Sequence, residues 1–165
     1  MADALSAVAR PVEVKTGVTG PKMVAKSLSD ALSSTYSLLI RTHVYHWNVT
    51  GPTFYGLHHL MDEQYNDLFI ATDVMAERIR SLGQLAPLNL SNLMAKDGKA
   101  GPSPSLPAEE MVADLIEHHE VLAKTLHTLI DLAQEHKDPV TADLATKRSA
   151  FHEQAVWMLR ATLSD

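Results

Sequence analysis

The sequence predicts an all-α protein, a bundle of four long helices with one long connection between the second and third. Apolar residues recur at three- and four-residue steps over most of the chain, which is the helical period. Alternating β-branched runs and Asn-Gly turns, the signals of strands and hairpins, are absent from the sequence. The irregular residues 84–107 separate two pairs of periodic segments, which indicates two helical hairpins joined by a crossover.

Residues 1–25 have the character of a flexible tail that precedes a bundle domain at residues 26–165. The stretch "ARPVEVKTGVTGPK" contains two prolines and two glycines and keeps no helical period. The first helical pattern begins at about Met23. It should continue to about Val49, because the glycine and proline of "TGPT" stop a helix there.

The second helix is predicted to run from Thr53 or Phe54 to Leu82, with Gly83 as its C-terminal stop. A helix of roughly thirty residues is about 45 Å long. That length exceeds what the interior of a compact monomer needs, so this helix suggests an interface with another chain.

Residues 84–107 form the predicted connection, with a loop at "GKAGPSPSLP" and one or two helical turns at "LSNLMAKD". The third helix should run from about Pro107 to His136 and the last from Pro139 to Leu163, with "KDP" breaking the chain between them. Because the crossover lies between the second and third helices, the layout is ferritin-like rather than that of a simple up-down bundle.

Composition narrows the possible functions. Twenty acidic against fourteen basic residues give a formal charge of −6, which argues against a dedicated nucleic-acid surface, although a short basic arm could still bind DNA. The absence of cysteine excludes disulfides and thiolate zinc sites and leaves imidazole and carboxylate as strong metal ligands. Since no signal peptide and no membrane-length apolar run is visible, we expect a cytoplasmic protein.

The stretch "HVYHWNVTGPTFYGLHHLMDE" contains four of the nine histidines. On the second helix His58 and Asp62 are spaced i,i+4, as are Asp73 and Glu77, and all four fall within a sector of about 100°. A solvated polar stripe is one interpretation of these pairs, and a metal site is the other. About 16 Å of helix separates Asp62 from Asp73, so one chain cannot bring both pairs to one ion.

A symmetric dimer removes this difficulty. If the second helix packs antiparallel against its copy, one register puts residues whose numbers add up to 135 at the same level. His58 then lies level with the partner's Glu77, and Asp62 with the partner's Asp73. With an imidazole from the preceding turn, the predicted ligands are His46, His58, Asp62, Asp73 and Glu77. Iron, zinc and manganese all accept such ligands, and open positions on the set suit iron oxidation.

A site within one chain is disfavoured by a missing motif. The usual di-iron bundle carries Glu-x-x-His on two helices of one chain, and no glutamate of this sequence has a histidine three residues on. His43 continues the apolar face of the first helix, where it either packs near the core or assists the site. His59 should point about 100° away from His58, so we place it outside the site.

These residues resemble the Dps family, the DNA-binding proteins from starved cells or mini-ferritins. The matching motif is "HWNVTGPTFYGLHHLMDE" followed by "DVMAERIRSLG", with the five predicted ligands at the family's ferroxidase positions. The resemblance implies a hollow dodecamer with ferroxidase sites at its two-fold interfaces. It also implies oxidation of Fe(II), preferentially by hydrogen peroxide, storage of the ferric product in the cage, and protection of DNA from oxidative damage.

The resemblance implies roles for four further positions. At His43, a histidine could support a second iron position. Trp47 corresponds to a tryptophan near the family's iron site, where it either packs or quenches stray oxidising equivalents. Asp138 and Asp143 match acidic residues that line iron-entry pores, although both would also serve as ordinary charges at a helix N-terminus.

Two other functions stay open. One is a structural protein that binds and condenses DNA at the nucleoid with minor iron chemistry. The tail offers that function a small positive excess, made by Arg10, Lys15, Lys22 and Lys26 against Asp3 and Glu13. The other is a cage whose sites hold zinc, which would inhibit oxidation.

Overall fold

The computed structural model describes residues 7–86 and 101–163 of the chain. Its four helices are α1 (Pro21–Asn48), α2 (Phe54–Ser81), α3 (Ala108–Glu135) and α4 (Pro139–Ala161). Each helix end lies within two residues of its predicted position, and the described residues contain no strand, so the all-α class is confirmed. The helical turns predicted at residues 90–97 lie outside the described residues.

The helices pack as two antiparallel hairpins. α1 packs along α2 and α3 along α4, α1 also contacts α3, and α2 and α4 touch only slightly. The starts of α2 and α3 meet at one end of the bundle, where Leu57 and Val112 line the same cleft. At the other end α1 begins beside the end of α3, since the Thr19 N–H donates to the His136 carbonyl at 2.8 Å. The α2–α3 connection therefore joins opposite ends of the bundle, as the predicted crossover requires.

The core is aliphatic, and each fully buried Leu, Ile or Met contributes roughly 1.5–3 kcal/mol. α4 buries mainly small residues, among them Ala142, Ala145 and Ala155, and these let it lie close to α3. The largest fully buried side chains are Leu28, Leu38, Tyr45, Met61, Leu68, Met75, Ile79, Leu82, Met111, Leu115, Leu122 and Leu126. Among the described residues, none of the helices combines the length and the apolar character that a membrane span requires.

The segment before α1 crosses one end of the bundle. Val12 N–H donates to the carbonyl of Gly83 at 2.8 Å, directly after α2. Gly83 has a φ of 79°, and an added Cβ would lie 2.1 Å from the Val12 carbonyl oxygen. Glycine is therefore required both by the left-handed backbone and by the close approach of the segment. α1 begins at Pro21, inside the predicted tail; the division of the chain at residues 25 and 26 stays a prediction.

Candidate metal centre

A short turn brings the first two predicted ligands together. Gly51 in this turn has a φ of 108°, which L side chains rarely adopt, and its carbonyl accepts the Phe54 N–H at 3.0 Å as α2 begins. His46 lies in the last turn of α1 and His58 in the second turn of α2. The reversal of the chain therefore sets the two imidazoles face to face.

The rings of His46 and His58 are stacked, with centroids 3.8 Å apart and an interplanar angle of 19°. His46 Nδ1 lies 2.9 Å from the carbonyl oxygen of His58, and His58 Nδ1 lies 3.0 Å from that of His46. Because a carbonyl oxygen can only accept a hydrogen bond, both Nδ1 atoms carry the hydrogen. In the neutral rings both Nε2 atoms then present a lone pair, the form in which imidazole binds a metal.

Asp62 lies one turn beyond His58 on the same face of α2 and is half-buried. Its Oδ1 accepts a hydrogen bond of 2.5 Å from the hydroxyl of Tyr65. This bond raises the pKa of Tyr65, and burial adds to the increase, so the phenol remains a donor at neutral pH. Sequence reasoning missed Tyr65, although its i,i+3 spacing from Asp62 is the signal that could have found it. We call His46, His58 and Asp62 the imidazole half-site.

His43 extends the half-site toward the surface. Its ring stacks on Tyr65 with centroids 4.3 Å apart, and it lies 4.2 Å from the ring of Trp47. Burial lowers the pKa of His43, the neighbouring His46 lowers it further, and Asp62 partly offsets both effects. Trp47 is 64% exposed in the single chain. The roles predicted for His43 and Trp47 at iron stay predictions.

Asp73 and Glu77 lie apart from the half-site. Both side chains are exposed on α2, and Asp73 is about 16 Å along the helix from Asp62. They share their side of the helix with exposed apolar residues, and a patch of this kind marks a contact surface. We call this surface the exposed face of α2; it consists of Phe69 (64% exposed), Ile70 (64%), Asp73, Val74 (44%) and Glu77. In the part of the chain that the structure describes, no three His, Asp or Glu side chains are arranged to hold an ion.

His59 is exposed, and its ring makes an edge contact with Tyr55 at a centroid distance of 4.4 Å. The rings of His58 and His59 are nearly perpendicular, at 82°. The place of His59 outside the half-site stays a prediction.

Asp138 lies at the N-terminus of α4, the structural position that the sequence offered as an alternative to a pore. It is fully buried, accepts the N–H and hydroxyl of Thr141 at 2.9 and 2.5 Å, and pairs with Arg78 at 2.6 Å. Burial raises the pKa of Asp138, but the hydrogen bonds from Thr141 and Arg78 outweigh burial and lower it. In the single chain the carboxylate of Asp138 caps α4 and is buried, and the pore role of Asp138 stays a prediction. Asp143 is exposed beside Lys147 at 2.7 Å, and its pore role stays a prediction.

A second pair of histidines lies inside the bundle, between α3 and α4. His119 and His152 are fully buried, and their Nδ1 atoms lie 2.9 Å apart, so one ring donates and the other accepts. Burial, together with the charge of Arg148, lowers the pKa of His119 to about 3 and that of His152 well below its ordinary value. Sequence reasoning missed this pair, since its members are 33 residues apart and no local motif joins them.

Comparison with known proteins agrees with this architecture. The family model of the ferritin-like domain matches residues 25–165. A low temperature-induced protein of Nostoc sp. (strain PCC 7120) is 38% identical over 142 residues, which cover 84% of this chain and 78% of that protein. The DNA protection during starvation protein of Brevibacillus brevis is 34% identical over 146 residues, which cover 86% of this chain and 95% of that protein.

A solved structure extends the likeness to three dimensions. The Dps protein of Vibrio cholerae O1, described as a member of a broad superfamily of ferritin-like diiron-carboxylate proteins, matches with a TM-score of 0.82 and 25% identity. The match covers 92% of this chain and 100% of that one. The crossover bundle is thus of the ferritin-like class. Within that class the chain belongs to the Dps family, which confirms the resemblance of its motif.

Proposed function

We propose that this protein oxidises and stores iron at sites shared between two chains. Each ferroxidase site combines the imidazole half-site of one chain with Asp73 and Glu77 of a second. The observation that carries the proposal is the stacked pair of His46 and His58, whose Nδ1 atoms are held by backbone carbonyls and whose Nε2 lone pairs are free. With the hydrogen on Nδ1, Nε2 is the atom through which each imidazole would bind a divalent ion.

The exposed face of α2 supports the second half of the proposal. When α2 pairs antiparallel with its copy in the register whose residue numbers add up to 135, His58 lies level with the partner's Glu77. The numbers of the first and last residues of α2, Phe54 and Ser81, also add up to 135. In this register the two antiparallel helices therefore lie side by side over their full length. The same contact covers the exposed apolar side chains Phe69, Ile70 and Val74.

Fe(II) is the substrate at this site. The imidazoles bind Fe(II), and the carboxylates from both chains favour the higher charge of Fe(III), so the mixed ligand set assists oxidation. Each Fe(II) gives up one electron, and hydrogen peroxide accepts two. Two Fe(II), one peroxide and two protons therefore yield two Fe(III) and two water molecules. We expect peroxide to be preferred to dioxygen and the ferric product to be stored inside a dodecameric cage, which keeps iron and peroxide away from DNA.

Structural condensation of DNA has less support as the main function. The basic residues Arg10 and Lys15 belong to a segment that is hydrogen-bonded to the bundle at Val12 and Thr19. The formal charge of −6 also opposes a polyanion. DNA protection here follows from removal of iron and peroxide.

The test mixes metal-free protein with Fe(II) and hydrogen peroxide and follows the oxidation of Fe(II) by ferric absorbance. We expect Asp73→Ala/Glu77→Ala to lower the initial rate roughly 100-fold, because two of the five ligands are lost. The matched control is Asp131→Ala/Glu135→Ala, an exposed pair on α3 with the same residue types and spacing. A wild-type rate in the first variant, or an equal loss in the control, contradicts the proposal. Elemental analysis of the purified protein separates an iron site from one loaded with zinc.

A further inference from the structure

We propose that Tyr65 is a positioning residue that presents Asp62 to iron through a single carboxylate oxygen. This inference rests on the proposed function, since it assigns Asp62 as a ligand of the iron that is oxidised. The hydroxyl of Tyr65 lies 2.5 Å from Asp62 Oδ1, a short distance typical of a hydrogen bond to a charged acceptor. Such a bond withdraws negative charge from Oδ1. Oδ2 is therefore the oxygen that Asp62 offers to a metal.

The ring of Tyr65 is itself held by the first helix. One face stacks on His43 at 4.3 Å with an interplanar angle of 24°, and the ring meets His46 edge-on at 5.2 Å and 72°. Tyr65 and Asp62 lie on α2, whereas His43 and His46 lie on α1. The contacts therefore restrain the carboxylate of Asp62 relative to the imidazole of His46, as positioning residues around a metal site do.

Binding through one oxygen has a consequence for turnover. An iron-oxidising site must bind Fe(II), admit an oxidant and then release Fe(III), which carboxylate oxygens bind more strongly than Fe(II). If both oxygens of Asp62 chelated the metal, one open position would be lost and the ferric product would be held more tightly. Tyr65 thus keeps Asp62 a weaker, single-oxygen ligand and allows the product to leave.

The variant Tyr65→Phe tests this inference, because it keeps the ring and its contacts with His43 and His46 and removes only the hydroxyl. The matched control is Tyr55→Phe, which removes a hydroxyl from a 75% exposed tyrosine on the same helix. Co(II) added to metal-free protein is the probe, since its ligand-field absorbance weakens as the coordination number rises. At saturating Co(II), we expect weaker absorbance in Tyr65→Phe than in wild type and no change in Tyr55→Phe.

Iron turnover gives the second readout. In Tyr65→Phe we expect a first turnover of Fe(II) near the wild-type rate and a later, steady rate lowered about tenfold, because Fe(III) leaves slowly. A Co(II) spectrum and a steady rate equal to those of wild type overturn the role of Tyr65. If Asp73→Ala/Glu77→Ala abolishes oxidation in the same series, wild-type behaviour of Tyr65→Phe removes only the inference about Tyr65 and leaves the proposed function standing. If Asp73→Ala/Glu77→Ala oxidises iron normally, the proposed function itself fails.

Discussion

Two pairs of histidines in this bundle have the same composition and opposite surroundings. His46 and His58 stack at the α1–α2 turn, donate from Nδ1 to backbone carbonyls and keep Nε2 free beside Asp62. His119 and His152 lie in the core, fully buried, and bind each other through Nδ1. The first pair lies beside the half-buried carboxylate of Asp62, and the second is enclosed by the helices.

The difference shows that surroundings, rather than residue type, decide what an imidazole can do. At the turn, backbone carbonyls fix the tautomer and Asp62 supplies negative charge, so a cation is favoured. In the core, Arg148 lowers the pKa of both imidazoles in addition to burial, and the same positive charge opposes a bound cation. We therefore regard His119 and His152 as a neutral structural pair.

The roles of the two pairs are distinguished most clearly by replacing one histidine of each pair with alanine. We expect His58→Ala to lower the rate of Fe(II) oxidation roughly 100-fold, because it removes a ligand of the imidazole half-site. We expect His152→Ala to leave the rate per folded chain unchanged. His152→Ala should lower the free energy of unfolding by about 2–4 kcal/mol, because it leaves a cavity and removes the hydrogen-bond partner of the buried His119 Nδ1.

Ferric absorbance and urea unfolding of the same preparations measure these two effects. The protein concentration must be fixed, because assembly contributes to the apparent stability. Loss of oxidation in both variants at equal folded content would remove the distinction between the pairs.

Acid is expected to lower the stability of the same core. The folded pKa values of His119 and His152 lie below the unfolded value of about 6.5. As pH falls through 6.5, the two imidazoles take up protons in the unfolded chain but not in the folded core. The stability that is present above pH 6.5 is therefore lost progressively. Each histidine contributes up to about 1.4 kcal/mol per pH unit, and for His119 the window extends down to about pH 3.

Urea unfolding of metal-free protein at pH 7 and pH 5 measures this dependence. We expect His119→Leu/His152→Leu to lose less stability than wild type between the two values, because its unfolded chain has two fewer imidazoles to protonate. The exposed control His59→Ala should follow wild type. An unchanged pH dependence in the double variant would refute the neutral buried pair.

The sequence was sufficient for features that depend on neighbours along the chain. All eight helix ends follow from apolar periodicity interrupted by Gly and Pro, as at Gly51 and Gly83. The i,i+4 spacing of His58 and Asp62 predicted that they share one face, and the short turn predicted that His46 lies near them. Such signals are readable because helix geometry converts a sequence interval directly into a direction.

Contacts between distant parts of the chain could not be predicted in this way. Asp138 had the character of a surface helix charge, and only the fold brings Arg78, sixty residues earlier, within 2.6 Å of its carboxylate. His119 and His152 meet because α3 and α4 are packed side by side. The approach of Val12 to the end of α2 depends likewise on tertiary packing.

A site divided between two chains can be tested by mixing two inactive variants. His46→Ala/His58→Ala lacks the imidazoles, and Asp73→Ala/Glu77→Ala lacks the partner carboxylates. In a two-fold pair with one chain of each kind, one of the two sites keeps every ligand. Random pairing of equal amounts, unfolded and refolded together, should therefore restore about a quarter of the wild-type Fe(II) oxidation. A refolded mixture with the native mass of wild type that stays as inactive as its two components would contradict the divided site.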